Sequence, residues 1–280
     1  MPKSWICPGC ARRRRSSFCP DCGEGKLRER DLSLNDIARQ FAKGFSSVDG
    51  KLLRSSRAVV TKPGALTDAY VRGERRRFLA PLGLFLIANA LFAGIQSLTG
   101  TNVLSSPLQS HLQVQDWHEL ARSLVEQRLV MTGKTVADYS QRFDRAAIFN
   151  AKALMILMVM AFAPIAALSF RGRHKAAGVH VVFALHIYTF VFLLLCVSVL
   201  LAEVEHLVGG DGLRSPTVDT VLSVFNLAAC FGYIYLAIGP AYGARGTSRF
   251  ASAVALTACV GVLFVGYRFL IFLITLYSTS

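Results

Sequence analysis

The sequence predicts an all-α integral membrane protein: five transmembrane helices, preceded by a small N-terminal zinc ribbon and an interfacial amphipathic helical segment. Three observations predict it. The chain of 280 residues is 53% hydrophobic and only 17% charged, and its mean hydropathy of +0.43 exceeds that of a soluble globular domain. Five apolar runs, at 78–98, 153–170, 176–202, 218–239 and 250–277, come close to or exceed the roughly 20 residues that cross a hydrocarbon core about 30 Å thick. The first 22 residues carry two CxxC pairs, Cys7 with Cys10 and Cys19 with Cys22.

Residues 1–26 form the ribbon. Each CxxC pair brings two thiolates onto one ion through a tight turn. Gly9 and Gly23 supply the backbone freedom of those turns, and four thiolates satisfy tetrahedral Zn²⁺ in a structural site. A redox dithiol pair and two disulfides are the competing readings. Thiolates that hold zinc belong in a reducing compartment, so the N-terminus is expected in the cytosol. Arg12, Arg13, Arg14 and Arg15 lie between the knuckles, where a ribbon would present an exposed loop. No aromatic residues are interleaved with them, which favours anionic membrane lipid or a cytosolic protein partner over nucleic acid. Cys196, Cys230 and Cys259 sit in apolar runs and read as small hydrophobes.

Residues 27–77 are too polar to cross a bilayer, yet patterned. Leu32, Leu34, Ile37, Phe41 and Phe45 recur at roughly helical spacing, as do Val48, Leu52, Leu53 and Val59 after a break at Asp49 and Gly50. Lys43, Lys51, Arg54 and Arg57 are interspersed, so a basic amphipathic helix on the anionic leaflet is expected, with a small helical subdomain packed under the spans as the equal alternative. Pro63 and Gly64 interrupt the helix, and Gly73 hands over to Glu74 and the basic Arg75, Arg76 and Arg77. Of 31 basic residues, 18 precede Phe78, against 8 acidic ones, which assigns the net charge of +14 to the positive-inside rule.

Residues 78–280 then form the five-helix domain, and its loops vote on orientation. Arg171, Arg173 and Lys175 fill the second-to-third connection, and Arg245 and Arg249 the fourth-to-fifth. Glu203, Glu205, Asp211 and Asp219 dominate the third-to-fourth, where Arg214 is the only basic residue. Five spans, a cytoplasmic N-terminus and a periplasmic C-terminus satisfy every loop. The polar N-terminus lacks the basic-then-apolar pattern of a cleavable signal peptide. The periplasmic loop at 100–151 reads as a folded helical cap through Trp117, Leu120, Leu124, Leu129, Val136, Tyr139 and Phe143. Its His111, Asp116, His118 and Glu119 read as a solvated helix face.

A polar side chain inside a bilayer is costly and marks a candidate site. Asn89, His186, Asn226 and Arg268 fall near the midplane on four different helices, with His180 a turn inside the cytoplasmic end of the third span. They either converge on one internal polar site or settle locally. In the local reading the asparagines bond across helices and Arg268 reaches outward to Glu203 and Glu205. His180 and His186, six residues apart on one helix, face different directions and are no preformed metal pair. Gly239 and Gly243 are spaced for close helix packing. There is no HExxH, GxSxG or P-loop pattern and no carboxylate pair within a span, so catalysis is disfavoured.

The twin CxxC head with Phe18 and Gly23, the segment Lys62-Pro63-Gly64 with Tyr70, the run from Gly73 through Arg75, Arg76, Arg77 and Phe78 to Pro81, and His180 with Phe183 and His186 together resemble a bacterial family of uncharacterised membrane proteins, a domain of unknown function. The resemblance covers most of the chain and implies a multi-pass bacterial inner-membrane protein with no assigned activity. In that family an acidic residue often precedes the first histidine, whereas Val179 stands here. A non-enzymatic scaffold or sensor is the expected role, with the ribbon binding a partner. A transporter or channel for a small solute, ion or lipid, using the midplane residues, is the alternative, and a membrane-embedded enzyme ranks last.

Overall fold

The computed structural model describes residues 4–26, 49–133, 135–171 and 176–279, which fall into two compact units. The expected apolar positions from Leu32 to Val48, with Lys43, lie outside the described residues, as do Arg173 and Lys175.

The first unit comprises Met1–Phe92 and Val159–Cys259. Its N-terminal ribbon is a minimal hairpin: β1 (Trp5–Ile6) pairs antiparallel with β2 (Arg13–Arg14), and a bridge between Phe18 and Gly25 closes the second knuckle. Helix α1 (Asp49–Thr61) stops at Pro63, and Gly64, at φ +80°, opens α2 (Ala65–Arg72). Gly73, at φ +93°, ends α2 in a left-handed cap, its N–H and that of Glu74 returning to Tyr70 and Ala69 carbonyls. Val59 and Leu66 share a core with Leu79 and Leu84, against which Phe190 and Leu193 pack. Residues 49–72 form two short helices rather than one, with Val59, Leu66 and Tyr70 buried against protein and Leu53 and Val60 exposed.

The apolar runs become long helices. α3 (Pro81–Thr99), α8 (Ala177–Leu207), α9 (Pro216–Tyr242) and α10 (Gly246–Ser278) are each long and apolar enough to cross a membrane. Within the first unit, Phe192 stacks on Phe92 at 5.6 Å, and Phe162 meets Tyr188 edge-on at 5.8 Å. The expected second span is the exception. α7 (Ile156–Ser169) has 14 residues and qualifies only together with α6 (Val136–Ala153), bent from it by 48° at a short break. Among the described residues there are thus four helices that can span alone, and up to five if the bent pair is one span.

The second unit comprises Ala93–Met158 and Val260–Ser280. Here α4 (Leu108–Gln113), α5 (His118–Thr132), α6 and the last turns of α10 enclose a core of Leu108, Val125, Tyr139, Phe143, Phe272 and Leu276. Trp117, Leu124 and Leu129 pack against it, while Leu120 and Val136 face outward. The Tyr139 hydroxyl donates to the Leu276 carbonyl at 3.1 Å, tying α6 to α10. Asp144 caps the start of α4 by accepting from the Leu108 N–H at 2.7 Å.

Candidate metal centre and polar sites

Two backbone turns build the metal centre. In the first knuckle the Ala11 N–H returns to the Cys7 carbonyl at 2.8 Å, and in the second the Gly23 N–H returns to Cys19 at 2.7 Å. The residue after each second cysteine takes a left-handed conformation, Ala11 at φ +57° and Gly23 at φ +70°. Gly9, expected to supply that freedom, does not: a Cβ there would sit 3.2 Å from the Cys22 Sγ, so its role is to leave room for sulfur.

The Sγ atoms of Cys7, Cys10, Cys19 and Cys22 lie within 4.8 Å of one another, with Cys7 to Cys22 at 3.4 Å and Cys10 to Cys19 at 3.5 Å. Thiolates about 2.3 Å from a tetrahedral zinc stand roughly 3.8 Å apart, so the donor set fits a metal ion. All seven cysteines are free thiols. The backbone N–H of Cys22, joined by that of Asp21, holds the Cys19 thiol down at about 6, while burial pushes the Cys7 thiol up.

The arginine loop is less open than the sequence reading expected. Asp21 pairs with Arg12 at 2.8 Å and also with Arg14. Arg14 is held in its charged form first by Cys19 and then by Asp21. A four-thiolate site carrying a divalent ion is doubly negative, and Arg14 offsets part of that charge. Arg13 and Arg15 remain exposed, as do Ile6 and Phe18.

The sequence reading missed how the ribbon is fastened. Glu24, only 5% exposed, accepts from the backbone N–H groups of both Arg75 and Arg76 at 3.2 Å. The Arg76 guanidinium lies over Gly23, where a Cβ would fall 2.1 Å from its nitrogen. Arg75 caps the Tyr70 ring at 4.7 Å, and Arg77 lies against Phe78. An acidic residue directly after the second knuckle was the available signal, but no pattern named its partner.

Each intramembrane candidate has its own surroundings. His186 Nδ1 lies 2.9 Å from the Thr67 hydroxyl, and His180 Nδ1 3.1 Å from the Tyr242 hydroxyl. The Ser198 hydroxyl donates to Asn226 at 2.7 Å. Asn89 is half-buried on α3. In the second unit Arg268 donates to the Ser106 hydroxyl at 2.5 Å. Glu205, a supposed outward target of Arg268, accepts from the Gly212 N–H at 2.6 Å. His111 is not on a solvated face: it is 2% exposed and accepts from the Trp117 indole at 3.1 Å, because α4 turns it onto Phe272. Among the described residues the four N-terminal cysteines are the only cluster with metal-ligand geometry.

Four to five membrane-length helices following a four-cysteine head in the described residues are the features of a multi-pass helical membrane protein. Residues 49–93, from the start of α1 into α3, match the model of a family described as a protein of unknown function (DUF3667). No curated protein and no solved structure matches the chain.

Proposed function

We propose that this is a non-enzymatic scaffold or sensor of a bacterial inner membrane. It has five spans, a cytoplasmic ribbon holding structural zinc, and a periplasmic C-terminus. The observation that carries the reading is the clasp of Glu24 on the Arg75 and Arg76 backbone. A metal-stabilised head gains its fold from the ion and offers surface rather than a cleft. Fastened to the lead-in of the first span, it relays what it binds to the helices. Its free surface presents Ile6, Phe18, Arg13 and Arg15, two apolar and two cationic groups suited to an acidic cytosolic protein.

Replacing Cys19 and Cys22 with Ser tests this. The doubly substituted chain should insert normally and lose the soluble protein that cross-links to the intact ribbon in cells. Unchanged cross-linking would refute the docking role. Metal analysis of the purified protein should find about one zinc per chain, and a metal-free ribbon would remove the basis of the reading.

A further inference from the structure

A cleft of about 570 Å³ opens in the first unit between the turn joining α1 to α2 and the turn joining α9 to α10, within the size range of small-ligand sites. Three cations line it, Lys62, Arg245 and Arg249, and no carboxylate does. The sequence around both turns is free of acid: none lies between Asp49 and Asp68, and none follows Asp219. Asp68 itself is engaged by Arg72 at 3.0 Å. Lys62, Arg245 and Arg249 form no ion pair among the described residues. The sign of the cleft is therefore uniform, and Lys62 and Arg245 are exposed, so a ligand can reach them.

Arg249 is held in place before any ligand arrives. Pro240 has no N–H, so the Leu236 carbonyl one turn earlier in α9 loses its helical donor. The Arg249 guanidinium replaces it: Nη2 donates to the Leu236 carbonyl at 3.3 Å and Nε to the Tyr235 carbonyl at 2.7 Å, with the Tyr235 ring beneath at 4.3 Å. A Cβ at Gly239 would stand 3.1 Å from the guanidinium carbon, so the glycine leaves room for it. The third nitrogen, Nη1, has no hydrogen-bond partner among the described residues, and a fixed cation with a spare donor loses little freedom on binding an anion. Gly64 packs against the Ala237 backbone, which holds the turn of Lys62 and Pro63 on α9.

We infer that this cleft binds the phosphate of an anionic phospholipid. Lys62, Arg245 and Arg249 Nη1 hold the phosphate. The acyl chain leaves past Leu236, which is exposed on α9 about 10 Å deeper along the helix than its end at Gly243. A basic pocket between the cytosolic ends of two spans meets an anionic headgroup at its own depth in the membrane, where a fully polar solute has no use for the apolar floor. The inference rests on the proposed orientation, which puts the connection between α9 and α10 at the cytosolic surface, and it gives the proposed sensor a lipid ligand.

The test is native mass spectrometry of the full chain in detergent with dioleoyl phosphatidylglycerol or dioleoyl phosphatidylcholine, which share their chains and phosphodiester and differ in the choline cation. The wild type should retain the glycerol form over the choline form. Lys62→Gln and Arg245→Gln should each lower that retention about fivefold, the loss of one cation at the headgroup, while Arg13→Gln, which removes the same charge from the ribbon, should leave it unchanged. Arg249 stays in place, because its loss would also unpair the Leu236 carbonyl. Equal retention of the two lipids, unchanged retention in both cleft variants, or an equal loss in Arg13→Gln overturns the site. If inorganic phosphate alone raises the melting temperature as much as the lipid does, the ligand is a free anion and the lipid assignment falls. Lys62 and Arg245 are both exposed, so neither substitution opens the core. Binding in detergent needs neither membrane sidedness nor a cytosolic partner, so lipid retention succeeds or fails independently of the proposed scaffold or sensor role.

Discussion

Ala11 is the non-glycine residue with positive φ among the described residues, at +57°, while the equivalent place in the second knuckle is filled by Gly23. A left-handed conformation costs an L-residue with a Cβ about 1 kcal/mol, offset here by the turn that brings Cys7 and Cys10 onto the ion. Ala11→Gly should therefore hold metal more tightly, by up to about 1 kcal/mol, in a chelator competition; weaker retention would mean the extra unfolded-state freedom of glycine outweighs the strain. His111 makes a second prediction at this scale. Burial first, and then the charge of Arg268, hold it down at about 4 from an ordinary 6.5. The folded chain thus disfavours the protonated ring, so its stabilising contribution is complete above about pH 6.5 and is lost as pH falls toward 4. Protonated Nδ1 can no longer accept from Trp117. Acidification from pH 7 to 5 should cost the second unit up to about 2 kcal/mol and shift Trp117 emission, and His111→Gln should flatten that response.

α2 shows what an element demands of its connections. Gly64 has φ +80°, and a Cβ there would lie 2.3 Å from the Ala237 carbonyl oxygen of α9. Neither strain nor clash can relax without separating α2 from α9. Gly64→Ala should cost about 3 kcal/mol or more, seen as a lower melting temperature with helix content retained, whereas Gly94→Ala, with open space around it in α3, should be neutral or stabilising. Ser55 works alongside: fully buried, its hydroxyl accepts from the Leu79 N–H at 2.8 Å and fixes α1 to the chain leading into α3. The apolar runs and the Pro63-Gly64 and Gly73 breaks made these helices legible in the sequence, and the CxxC spacing made the metal ligands legible. Pairings between distant residues were not. Thr67 and His186 are 119 positions apart, and nothing local to either points to the other. The break between α6 and α7 was also hidden, because Leu154 and Met155 are as apolar as their neighbours and no glycine or proline marks it. At the other end, Glu203 and Glu205 read as loop residues, yet α8 carries both before ending at Leu207.

Whether α7 crosses decides the direction of every later helix. Its 14 residues extend only about 21 Å, short of a hydrocarbon core of about 30 Å, so length alone argues for four spans. Charge argues the other way. If α7 does not cross, the acidic last turns of α8 with Glu203 and Glu205, and Asp211 in the turn after it, fall on the cytosolic side, and Arg171, Arg245 and Arg249 fall outside, the reverse of the positive-inside rule. Shortfalls of length are tolerated at fractions of a kcal/mol per Å by local thinning or by help from α6, whereas a reversed charge pattern opposes insertion at each loop. Five spans are therefore expected. Single cysteines at Leu98, Arg171, Leu207 and Arg245, all exposed, can be probed with a membrane-impermeant maleimide in intact cells against the parent chain as background. Labelling of Leu98→Cys and Leu207→Cys, with Arg171→Cys and Arg245→Cys reacting only after permeabilisation, is the five-span result. Labelling of Leu98→Cys, Arg171→Cys and Arg245→Cys without Leu207→Cys would mean that α6 and α7 fold back on one side, and that length outweighs charge in this chain.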